Sequence, residues 1–149
     1  MNEITTINDS VKTEPTAVDA KAAAQRIAFG PIVFQACWIM RKTGLLAALD
    51  KSRSKGLSFD EMMAVSGLSH YAITVLVDMG LTADVLWRKE DRYGVTKTGY
   101  MLTKDDMTRV NMDFVGDVCY EGSWHLEEAL KESKPSGLKV FGEWPTIYQ

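Results

Sequence analysis

Ser58-Phe-Asp-Glu-Met-Met-Ala-Val-Ser-Gly-Leu-Ser-His-Tyr-Ala-Ile-Thr-Val-Leu-Val-Asp-Met-Gly80 is the stretch that decides the fold. Ser58 with Glu61 three residues later is a capping box: the hydroxyl accepts from the Glu61 backbone while the carboxylate reaches back to the Ser58 N–H. Leu57 and Met62 flank it at the spacing of a hydrophobic staple, so a helix is predicted from Phe59. Gly67 supplies the left-handed residue that ends this helix. Ser69 is placed to cap the next one, in which Ile73, Leu76 and Val77 keep helical spacing up to Gly80. Two short helices joined by Ser-Gly-Leu-Ser give the outline of a helix-turn-helix.

Beyond Gly80 the period of the pattern changes. Val85 and Trp87 alternate with polar residues, Glu90-Asp91 makes a turn, and Tyr93 and Val95 alternate again. This predicts a small β-hairpin, and a helix-turn-helix followed by a hairpin is a winged helix.

Upstream, Leu45, Leu46 and Leu49 follow Gly44 and precede a basic loop, Lys51-Ser-Arg-Ser-Lys55. Before Gly44 two helices are expected. An alanine-rich one, Ala17 to Phe29, stops at Gly30-Pro31, and a second starts at Pro31 and runs to Thr43. This second helix carries Ile32, Val33, Phe34, Cys37, Trp38, Ile39 and Met40 around almost its whole circumference. A helix apolar on every side must be covered on every side, and one small chain leaves part of it bare. The expectation is an obligate homodimer that exchanges its first two helices, with Ile32, Val33, Phe34, Cys37, Trp38 and Met40 in the interface. Trp38 fits core and interface equally well. Residues 1–16 are polar and poor in apolar groups, and read as a flexible arm.

Downstream, Thr98-Gly-Tyr-Met-Leu102 gives a helical turn, Lys104-Asp-Asp106 a loop, and one long helix is expected from near Thr108 to Ser133, weakened by Gly116 and Gly122 with a kink near Gly122. Pro135 to Gln149 is irregular but rich in apolar residues, including Trp144, Ile147 and Tyr148. Exposed aromatics are normally docked on something, so the remainder of a larger protein is expected beyond Gln149, cut away or never encoded. The expected fold class is mainly α: a winged helix with N-terminal dimerisation helices and a long C-terminal helix. The domain reading is 1–16 as arm, 17–103 as winged-helix dimerisation domain, and 104–149 as connecting helices and linker.

Composition narrows the function. The net charge is −3, and affinity for nucleic-acid backbones comes mainly from clustered Lys and Arg. Cys37 and Cys119 stand far apart without a CxxC or Cys/His spacing, and read as buried reduced thiols. The start lacks the basic and apolar regions of a signal peptide, and the longest apolar segment, Ile32 to Met40, is well short of a membrane span. A cytoplasmic protein with no membrane partner is expected.

Several segments in combination resemble the N-terminal half of plant-type class I SAM-dependent O-methyltransferases and their bacterial relatives. They are Gly44-Leu-Leu-Ala-Ala-Leu49, Ser66-Gly-Leu-Ser69, Leu76-Val-Asp-Met-Gly-Leu81, Tyr93-Gly-Val-Thr-Lys-Thr-Gly99, Trp124-His-Leu-Glu-Glu-Ala-Leu130 and Val140-Phe-Gly142. The match covers residues 20 to 149. The resemblance implies an intertwined homodimer whose final helices cover the substrate site of a following Rossmann-like domain. That domain would hold S-adenosylmethionine and a His general base and would methylate a small molecule. No GxGxG segment and no strand-helix alternation occur in this chain, so no cofactor, metal or catalytic residue is assigned to it and it is expected to be inactive alone.

His70 and His125 lack a nearby Asp, Cys or second His and read as ordinary helical histidines. Asp113, Asp117 and Glu121 at i, i+4 and i+8 read as a solvated face, with Asp117, Phe114 and Trp124 as candidate edges of a substrate cavity. The alternative function is a winged-helix transcriptional regulator. A DNA reader needs Arg, Lys, Asn or Gln early in its recognition helix. The segment Ser69 to Met79 has none, so no nucleic-acid partner is expected.

Overall fold

The computed structural model describes residues 14–146. The chain divides into two compact units, Met1–Pro31 and Ile32–Gln149. The expected arm lies mostly outside the described residues. Thr16 caps α1 (Ala17–Lys42), accepting from the Asp19 backbone at 3.2 Å and donating to its carboxylate at 2.7 Å.

The expected stop at Gly30-Pro31 does not occur, because α1 continues through Pro31 as one helix of 26 residues. Proline removes one backbone donor and crowds the carbonyl four residues back, which strains a helix without always ending it. The two N-terminal helices of the sequence reading are therefore one helix. In the first unit Val18, Ile27 and Phe29 are exposed.

Within the second unit the core forms around α2 (Leu45–Ser52), whose Leu45, Leu46 and Leu49 are completely inaccessible. Gly44, at φ 74°, turns the chain from α1 into α2 in a conformation that costs a glycine little. Burying each such leucine contributes about 1.5–3 kcal/mol. Against α2 pack α3 (Phe59–Ser66) and α5 (Lys97–Lys104), and the core is completed by Met40, Met62, Ile73 and Val77. Both partners of the Ser58 and Glu61 capping box are in place, at 3.3 and 2.8 Å. Gly67 ends α3 at φ 69°, and Ser69 caps α4 (His70–Thr82) through the Ala72 N–H.

β1 (Leu86–Lys89) and β2 (Arg92–Val95) pair antiparallel, with Leu86 opposite Val95 and Lys89 opposite Arg92. Glu90 takes a left-handed conformation at the turn. Leu57 adds a bridge to Tyr93, so the segment before α3 is stitched to the hairpin. The result is a mainly helical, winged-helix-like fold with a small two-stranded wing.

The long C-terminal helix is instead a run of pieces. Asp105 caps α6 (Asp106–Phe114) by accepting from the Thr108 N–H at 2.8 Å and its hydroxyl at 2.7 Å, bonds that hold the Asp105 carboxyl below the usual aspartate range. A π-helical turn (Val115–Cys119) follows, then α7 (Tyr120–Gly122), a 3₁₀ turn (Ser123–His125) and α8 (Leu126–Glu132). The irregularity does fall around Gly116 and Gly122. Gly122 meets Gly137 so closely that a Cβ on either would come within 3 Å of the other's carbonyl oxygen. Ser136–Val140 is a 3₁₀ turn, and Phe141 stacks on Trp144 with ring centres 5.7 Å apart. Ile147 and Tyr148 lie outside the described residues.

Candidate self-association surface

From Ile32 onward α1 has three kinds of face. One carries Ala36, Cys37 and Met40 into the core. Burial pushes the Cys37 thiol up to about 11, which keeps it protonated and unreactive.

The second face meets the C-terminal run. Phe34 stacks on Tyr120 with ring centres 5.5 Å apart. A Cβ at Gly116 would come within 2.5 Å of Trp38 Cζ2, so the absence of a side chain there is what admits the indole. Arg41 donates to the Arg109 carbonyl and forms an ion pair with Asp113 at 3.0 Å. Lys42 Nζ sits 4.3 Å from the centre of the Trp38 ring.

The third face, with Ile32 and Ile39, is exposed, at 55% and 40%. The chain thus covers more of this helix than its apolar girth suggested. Cys37 and Met40 are buried among core residues of their own chain. Val33, Phe34 and Trp38 are half-buried against their own chain, and Ile32 is the one member of the expected set that is exposed.

A second apolar strip was not foreseen. On α6, Met112 points into the core, while Met107, Val110 and Phe114 are 73%, 65% and 49% exposed. Their i, i+3, i+7 spacing puts them on one face opposite Met112. The signal was present in the sequence but was hidden inside a helix expected to start only at Thr108. Exposed apolar side chains in a row on a helix mark an interaction surface more often than scattered ones do.

The other candidates are dispersed. Phe114 belongs to this strip, Asp117 is exposed in the π turn, and Trp124 is 83% exposed. None of the three lines the nearby apolar cavity of about 340 Å³, which Val118, Cys119, Leu126, Ala129 and Leu138 help to enclose. The wider π turn also breaks the α-helical phase assumed for Asp113, Asp117 and Glu121. Asp113 is engaged by Arg41.

His125 Nδ1 lies 3.6 Å from Glu128, whose carboxyl is held below the usual glutamate range chiefly by a hydrogen bond from Lys139. His70 packs on Phe59 with ring centres 5.1 Å apart. Among the described residues no group of three His, Cys, Asp or Glu side chains could hold a metal, and no single helix is long and apolar enough to cross a membrane.

A nucleotide cradle of the S-adenosylmethionine type needs a strand leading through a Gly-rich loop into a helix. The strands among the described residues are an antiparallel pair, and no Gly-rich loop leads from either strand into a helix. The described residues do not fit that cofactor.

Residues 21–93 match the family model of the Dimerisation2-like domain. The fold is similar to that of the S-adenosylmethionine-dependent methyltransferase SibL in a crystal structure of its apo form. The TM-score is 0.68 at 20% identity, over 80% of this chain and 35% of that one. At this identity the likeness establishes the fold, and the present chain spans about a third of that protein's length. No curated protein matches the chain.

Proposed function

Since residues 21–93 match the model of the Dimerisation2-like domain, we propose that this chain is the homodimerising, substrate-covering N-terminal region of a SAM-dependent O-methyltransferase that acts on a small molecule in the cytoplasm. The observation that carries the reading is the exposed apolar strip Met107, Val110 and Phe114, together with bare Ile32 and Ile39 on α1. A second copy that buries these side chains removes an apolar surface that a soluble monomer rarely leaves in water. Obligate dimers of this kind bury upwards of about 2,000 Å², largely apolar. In the full-length protein the cofactor and the catalytic base would belong to a following domain. The run from α6 to α8 would lie over the acceptor, with the apolar cavity beside Val118 and Leu138 turned toward it.

The regulator alternative is disfavoured by α4. Its exposed face carries Tyr71, Val75 and Asp78, an apolar and acidic surface, whereas base and phosphate contacts need cations and amides. Sedimentation velocity at low micromolar concentration tests the proposal. A dimer at twice the 16.6 kDa chain mass is expected, reverting to monomer in a Met107→Asp/Val110→Asp variant that keeps its helical signal. A well-folded 16.6 kDa monomer of the unmodified chain would refute self-association.

A further inference from the structure

On the side of the wing, the end of α2, the 3₁₀ turn after it, the hairpin and the start of α5 enclose a cleft of about 580 Å³. That is within the range of small-molecule sites, roughly 300–1,000 Å³. Its lining combines two aromatic side chains, Trp87 and Tyr100, with three cations, Arg53, Lys89 and Lys97. The chain as a whole carries −3, so this concentration of positive charge beside aromatic surface is local.

Glycines hold the aromatic parts in place. The Trp87 indole rests against backbone at Gly94 and Gly56, where a Cβ would come within 2.5 Å of Trp87 Cε2 and 2.9 Å of its Cη2. Gly99 sits so close to the Val85 carbonyl that α5, and Tyr100 with it, is seated directly on the hairpin. Neither placement needs a ligand to form.

The charges are not all spent within the fold. Asp50, buried at the base of the cleft, faces Lys104 at 3.4 Å and Arg53 at 3.9 Å, so its carboxylate is already compensated. Among the described residues Lys89 and Lys97 have no ion-pair partner, and both are exposed. Arg53 adopts φ 53°, ψ −135°, a conformation that side-chain-bearing residues rarely take and that tends to occur where a loop clamps a ligand.

We propose that this cleft binds a small aromatic carboxylate, its ring against Trp87 and Tyr100 and its carboxylate toward Lys89, Lys97 and Arg53. An inorganic anion would leave the aromatic wall unused, and a neutral aromatic would leave the cations unused. Charge-assisted hydrogen bonds from Lys and Arg together with ring contact suit a ligand that has both parts. The site lies on the wing and does not depend on the dimer surface of α1 and α6, so either proposal can fail alone.

The test is a titration of the ¹⁵N-labelled chain with 2-naphthoate, followed by amide shifts and the Trp87 indole N–H signal. The control probe is the neutral 2-naphthamide. Saturable shifts confined to Trp87 and the residues from Val95 to Tyr100 are expected. Affinity should fall roughly tenfold for the naphthamide, and by a similar factor in a Lys89→Ala/Lys97→Ala variant, whose exposed side chains leave the fold intact. Absence of saturation, equal binding of the two probes, unchanged affinity of the double variant or shifts located elsewhere would each overturn the proposal.

Discussion

Replacing Gly116 by alanine puts the packing of the C-terminal run onto α1 to a test of sign. In an unencumbered helix alanine is preferred to glycine by about 0.8–1 kcal/mol. At Gly116 the new methyl would come within 2.5 Å of Trp38 Cζ2, well inside van der Waals contact, and the nearest atoms all belong to one rigid indole. Overpacking of this kind costs about 1–3 kcal/mol. The net effect in the unmodified chain is a destabilisation of up to about 2 kcal/mol, a fall of roughly 2–4 °C in Tm per kcal/mol at this chain length. In a Trp38→Leu background the obstruction is gone. There Gly116→Ala should stabilise, by up to about 1 kcal/mol. Urea unfolding followed by far-ultraviolet circular dichroism, at one fixed protomer concentration because dimerisation contributes to the midpoint, gives both differences. Equal effects in the two backgrounds, within about 0.5 kcal/mol, would show that Gly116 and Trp38 do not meet and that the run is not docked on α1.

Four further outcomes are expected. Ser58→Ala removes the cap of α3 and should cost about 1 kcal/mol, read as a lower urea midpoint at unchanged slope; no change would mean that the capping box is unformed in solution. Under native conditions a thiol reagent should modify Cys119 well before Cys37, whose thiol is buried and pushed up to about 11; prompt reaction of both would place Cys37 in water. Glu61, Asp105 and Glu128 all have carboxyls lowered in the fold, chiefly by the Ser58 backbone N–H, Thr108 and Lys139 respectively. Their contribution to stability is therefore complete above the ordinary carboxylate range and disappears as pH falls through the lowered values, and Glu61→Gln should flatten the acid limb of a stability-against-pH curve. Calorimetry with S-adenosylmethionine should show no saturable binding to this chain, and micromolar affinity would reveal a cradle made of residues other than those described.

Local signals are legible where backbone chemistry alone decides the outcome. Ser58 with Glu61, Gly67, Ser69 and the Glu90 turn each act within a few residues of their own position, so α3, α4 and the hairpin were visible in the letters. Pro31 does not stop the helix because its penalty is finite: it weakens a helix by a definite amount, and the rest of the 26-residue helix decides whether that suffices. The apolar girth of α1 signals that it must be covered but not by what: Cys37 and Met40 are buried within the chain, while Phe34 and Trp38 are half-buried against it. Gly116 looked like a helix weakener until Trp38, distant in sequence, was seen to occupy the space it leaves. The strip Met107, Val110 and Phe114 is not legible when the helix is taken to start at Thr108, because the cap that starts it, Asp105, falls in a polar stretch that looks like a loop.

The π turn at Val115–Cys119 also sets how this chain tolerates change in length. One residue of an α-helix corresponds to roughly 100° of rotation. Met112, before the turn, and Tyr120, after it, both point toward the rest of the unit, the second by stacking on Phe34. The widened turn acts as a stored insertion that adjusts the angular phase between these two anchors. Deleting one residue within it would relax the run to a plain α-helix, which locally is the better-bonded state. Everything from Tyr120 onward would then keep its present phase, with the ring still on Phe34, whereas closing the same five residues as plain α-helix would turn it by about a quarter of a turn. The segment therefore absorbs the loss of one residue at this turn, where a plain α-helix would pass the change on as a rotation of all that follows.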